Sequence, residues 1–116
     1  DKLDIYDKCT VIDCHSFSNR RYWFHEDIKL PDICIGYEEE HVEKDLVEKI
    51  ISVFSDYSVG VNEPYCGSLV PTNYWRKDNR VKSVMIEINK KLYLEEDNIT
   101  KNKNFDIIRG NINGLL

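Results

Sequence analysis

Two short runs hold residue types that do hydrolytic chemistry. In Thr10-Val11-Ile12-Asp13-Cys14-His15-Ser16, β-favouring residues run straight into a carboxylate, an imidazole and a hydroxyl. In Val84-Met85-Ile86-Glu87-Ile88 a lone carboxylate interrupts an apolar alternation. A histidine just past a strand stands where open α/β sheets bind their ligands, outside the carboxyl ends of the strands. There it serves as a metal ligand, with Asp13 or a backbone carbonyl fixing its tautomer. The bland alternative is a hydrogen-bonded histidine that caps the strand. Glu87 on a strand that reads as buried needs a partner or a function, because an isolated buried carboxylate is costly. A shifted carboxyl suits a general base acting on water. Its bland alternative is an edge strand with Glu87 facing solvent.

The other candidates are weaker. His25-Glu26 lies in an aromatic-rich loop and reads as a surface pair. His41 falls in the first turn of a helical pattern and reads as solvated. Ser16 beside His15 makes a poor nucleophile pair, since sequence neighbours on a strand face opposite ways and there is no GxSxG elbow. Cys14 beside His15 fails for the same reason.

The elements that would position these residues follow from periodicity. Cys9–Ile12 reads as a buried strand, 16–30 as a loop, and Pro31–Gly36 as a second strand closed by glycine. Glu38–Tyr57 reads as one helix, with Val42, Leu46, Val47, Ile50, Ile51 and Phe54 as its apolar stripe and Asp45 and Lys49 paired on its wet face. Ser58–Val61 reads as a third strand. Residues 62–80 form a long aperiodic loop, and Tyr65, Tyr74 and Trp75 argue that it is ordered and functional. Val81–Asn89 is the strongest strand signal, with Val84, Ile86 and Ile88 on one face and Met85 and Glu87 on the other. Phe105–Leu116 reads as a final helix. Strands interleaved with helices predict an α/β fold, a mostly parallel or mixed sheet flanked by helices.

Composition narrows the function classes. The 116 residues suit one domain, and 41% hydrophobic with 32% charged residues is an ordinary globular mixture. A net charge of −5 with no basic stripe argues against a nucleic-acid partner. No apolar run is long enough to span a membrane. The four cysteines, Cys9, Cys14, Cys34 and Cys66, form no CxxC pair. They are expected to be reduced and structural, Cys9, Cys14 and Cys34 as small hydrophobes in or beside strands, in a cytoplasmic protein.

Four segments taken together, in order and at matching spacing, resemble the N-formylglutamate amidohydrolase family. They are Ile12-Asp13-Cys14-His15-Ser16-Phe17, Pro31-Asp32-Ile33-Cys34-Ile35-Gly36, Asn62-Glu63-Pro64-Tyr65-Cys66-Gly67 and Ile86-Glu87-Ile88-Asn89-Lys90-Lys91-Leu92-Tyr93. The resemblance implies a zinc carboxypeptidase-like (phosphorylase/hydrolase-like) fold and zinc-dependent hydrolysis of a small N-acyl amino acid or related amide. It implies His15 as a zinc ligand and Glu87 as the catalytic glutamate. Asn62, Tyr65 and Gly67 become the substrate-side loop, and Ser16 and His41 are expected among the substrate-binding residues. His41 falls where many relatives have a histidine. The chain departs from the family in one respect. The early His-x-x-Glu zinc pair belongs upstream of the DCHSF strand, and none of the fourteen residues before His15 is a histidine. The expectation is the C-terminal half of the family domain, with an incomplete zinc site and possible self-association. The competing expectation is a truncated, non-catalytic homologue acting as a structural or partner-binding domain.

Overall fold

The computed structural model describes residues 2–19 and 29–115. His25 and Glu26 lie outside the described residues. The chain runs α1 (Lys2–Tyr6), β1 (Cys9–Phe17), β2 (Ile33–Gly36), α2 (Lys44–Val53), β3 (Val59–Val61), β4 (Val81–Asn89) and α3 (Phe105–Asn113). The four strands form one mixed sheet in the order β1-β4-β2-β3. β1 pairs with β4 in parallel, β2 with β3 in parallel, and β2 with β4 antiparallel.

Alternation along the strands gives the sheet two unlike faces. One carries Val84, Ile86 and Ile88 from β4 with Ile33 and Ile35 from β2. These are buried against Val47, Ile50 and Phe54 from α2 and its C-terminal end and against Ile108 from α3, which makes the main core. Each such side chain contributes roughly 1.5–3 kcal/mol by leaving water. The other face carries Asp13, His15 and Phe17 from β1, Glu87 from β4 and Cys34 from β2. It is covered by the 62–80 loop. A smaller cluster of Leu3, Val70 and Val81 closes the far end of this face.

Three elements differ from the sequence reading. β1 continues through the polar run to Phe17, because each of its residues pairs in register with β4, from Cys9 opposite Val81 to Phe17 opposite Asn89. The expected long helix is broken. Glu39–His41 is a single 3₁₀ turn, Val42 is extended at φ −87°, ψ 146°, and α2 begins only at Lys44. Val42 is buried all the same, so the apolar stripe reads straight across the break. The stripe is also narrower than expected, since Ile51 is 39% exposed. α1 is five residues long, too short to leave a periodic signal.

Among the described residues β4 lies inside the sheet and β1 has a partner on one side only. That excludes the solvent-facing edge strand as the reason for Glu87. It also explains Cys14, expected to be packed but exposed on the open strand.

Candidate active site

The register places His15 directly beside Glu87, and Glu87 directly beside Cys34, so one row of side chains crosses β1, β4 and β2 on one face. His15 stands near the carboxyl end of its strand, as the sequence predicts. Its Nε2–H donates to Asp13 Oδ1 at 2.9 Å. Asp13 reaches it because residues two apart on a strand share a face. That bond leaves the lone pair of the neutral ring on Nδ1. The hydrogen bond and negative charge of Asp13 raise the His15 pKa above the usual histidine range.

Glu87 is half-buried, and its Oε2 is buried with no hydrogen-bond partner among the described residues. Burial pushes its carboxyl up, His15 pulls it back, and the Asp13 charge adds to the rise. A carboxylate oxygen with no donor among the described residues, on the face that carries His15, is poised to take up a proton.

The 62–80 loop roofs this row. The Cys34 thiol donates to the carbonyls of Glu63 and Tyr65 at 3.3 and 3.2 Å, which fixes the loop over the residue next to Glu87. The Tyr65 ring packs on Phe17 with centroids 5.1 Å apart, closing the roof over the carboxyl end of β1. Gly36 and Gly60 make the close approach possible. A Cβ on Gly36 would lie 2.3 Å from the Gly67 carbonyl oxygen, and one on Gly60 would lie 2.3 Å from that of Glu63.

Of the residues singled out from sequence, His15, Glu87 and Tyr65 come together, with Gly67 in the roof as backbone. Three do not join them. Ser16 points to the opposite face from His15 by strand alternation and is exposed. Asn62 spends its side-chain oxygen on the backbone, accepting from Tyr37 N–H and Gly67 N–H at 2.9 and 3.2 Å. His41, expected to be solvated, is 1% exposed. Its Nδ1–H donates to the Val81 carbonyl and its Nε2 accepts from the Arg76 N–H, both at 2.8 Å. Val81 is six residues before Glu87, about 20 Å away at strand spacing. His41 therefore pins the loop to the start of β4 and stays clear of the row.

Asn89 is the organising residue that sequence reading missed. It is fully buried, and its Nδ2 donates to Asn19 Oδ1 and the Pro31 carbonyl at 3.2 and 3.3 Å. It ties the ends of β1 and β4 to the entry of β2. Nearby, burial alone would raise Asp32, but hydrogen bonds from Lys91 and Ser58 outweigh it and hold that carboxyl low.

A histidine with one ring nitrogen on a carboxylate and the other available is the usual form of a zinc-bound imidazole. His15 thus fits one ligand position. Catalytic zinc takes three protein ligands, and among the described residues no three His, Cys, Asp or Glu side chains converge to hold a metal. The described residues do not complete a zinc site.

The chain is similar to the crystal structure of N-formylglutamate amidohydrolase from Ralstonia eutropha JMP134, with a TM-score of 0.77 at 24% identity. The match covers 97% of this chain and 44% of that one, so the chain spans under half of the solved relative. No curated protein matches. The sequence profile of N-formylglutamate amidohydrolase matches residues 2–94, a span holding β1 to β4, the row and its roof. With that match over most of its length, the chain belongs to the N-formylglutamate amidohydrolase family.

Proposed function

We propose that the chain carries the general-base half of a zinc-dependent amidohydrolase site acting on a small N-acyl amino acid such as N-formylglutamate. The supporting observation is Glu87, in register with His15, whose buried Oε2 has no hydrogen-bond partner among the described residues. On this reading Glu87 takes a proton from the attacking water and delivers it to the departing nitrogen. Its raised carboxyl favours both transfers, because a base works best with a pKa near the working pH. His15, oriented by Asp13, is one metal ligand. The remaining ligands are not among the described residues. Zinc, when bound, supplies carbonyl polarisation and a more acidic water. Tyr65 and the backbone around Gly67 form the wall on the substrate side.

The test is hydrolysis of N-formyl-L-glutamate by the protein at its full natural length, with zinc supplied, in parent and His15→Ala forms. Turnover lost with His15 supports the reading. Full turnover without His15 removes it.

A further inference from the structure

One side chain closes the turn that begins the roof over Glu87. Asn62 follows β3 directly and holds a left-handed backbone at φ 54°. Its N–H donates to the Ile35 carbonyl at 2.8 Å, which locks its own position against β2. Its Oδ1 then accepts from Tyr37, just past β2, and from Gly67, at the far end of the turn. One amide oxygen thus closes the 62–67 turn into a clamp. The Glu63 and Tyr65 carbonyls on Cys34 lie inside that clamp. The close contacts at Gly36 and Gly60 stop the turn from sinking. The clamp stops it from lifting.

We propose that Asn62 is the positioning residue of the site: through the turn it holds, it sets the height of Tyr65 over the Cys34–Glu87–His15 row, and with it the width of the substrate-side wall. The use of that wall rests on the amidohydrolase reading; the clamp does not. The assignment goes beyond the substrate-side role that family resemblance implies for Asn62, since its Oδ1 accepts from two backbone donors and so holds the turn itself.

Two substitutions separate the backbone from the clamp. Asn62→Gly tolerates the left-handed conformation and removes the acceptor. Asn62→Asp keeps an oxygen in place for both N–H groups. Both are examined by the nuclear Overhauser contact between the Phe17 and Tyr65 rings and by amide exchange at Tyr37 and Gly67. KM and kcat for N-formylglutamate are measured alongside in the full-length protein. In Asn62→Gly the ring contact is expected to vanish and exchange at both amides to quicken by about tenfold, the loss of one net hydrogen bond each. KM should rise more than kcat falls. Asn62→Asp should restore the ring contact and slow exchange. A glycine variant with parental contact and exchange overturns the clamp, and so does an aspartate variant that behaves like glycine. If contact and exchange respond as expected but the parent shows no hydrolysis, the clamp stands and the amidohydrolase reading falls.

Discussion

Glu87 occupies a position where stability and chemistry oppose each other. Burial raises its carboxyl, so the folded chain holds that proton more tightly than the unfolded chain does. The stabilisation is present below the ordinary carboxylate pKa and is lost as pH rises through the raised value. At neutral pH the buried carboxyl of Glu87 therefore costs stability. Glu87→Gln is expected to raise the melting temperature at pH 7, with the gain shrinking toward pH 4 in thermal scans. A fall in melting temperature at pH 7 would mean that Glu87 has a stabilising partner. Asp13, His15 and Glu87 were legible in the sequence because a carboxylate in an apolar alternation, or an imidazole at a strand end, calls for a physical reason. Asn89 was not, because an asparagine at a strand end looks like any turn residue. His41 was misread because its neighbours Glu38, Glu39 and Glu40 suggest solvent, while its partners Val81 and Arg76 lie at least 35 residues away.

At the scale of elements, the site is a flat row on a sheet with a loop pressed onto it. The strands were readable from alternation, and the limits of β4 agree residue for residue. The break before α2 was not readable, since a buried extended Val42 preserves helical spacing. His41 turns inward at that break and joins the loop to β4. His41→Ala leaves the Val81 carbonyl and the Arg76 N–H unpaired in a buried place. A loss of about 2–4 kcal/mol is expected in urea denaturation, since each unpaired buried group costs roughly 1–3 kcal/mol. A loss below about 0.5 kcal/mol, the usual size of an incidental surface change, would mean that water replaces the ring without penalty. Gly36→Ala inserts a methyl where the Gly67 carbonyl lies. Overpacking of this kind costs about 1–3 kcal/mol, and faster amide exchange at Gly67 would show the roof lifting. Unchanged exchange there would place the strain elsewhere.

Across the whole molecule, β1 is where the protein is open. It carries His15, pairs only with β4 among the described residues, and exposes Cys14 and Ser16. Beside it an apolar cavity of about 220 Å³ is bordered by His15, Ile88, Tyr93, Phe105, Ile108, Arg109, Ile112 and Asn113. An unpaired strand edge attracts further strands, so the 116-residue chain is expected to self-associate with rising concentration in sedimentation experiments. A monomer throughout would show the edge to be covered. The same chain should retain well under one zinc per molecule after dialysis, because a lone imidazole has no chelate advantage. Stoichiometric zinc would reveal a donor set beyond His15. Helices and the sheet face were legible here because their patterns are local. The decisive measurement is steady-state hydrolysis of N-formyl-L-glutamate by the zinc-supplied, full-length protein with and without Glu87→Gln. A general base contributes about 10²–10⁴-fold, so kcat should fall by that factor in the variant with KM little changed. Undiminished turnover in Glu87→Gln, or none in the parent, would contradict the assignment of Glu87 as the base of an amidohydrolase.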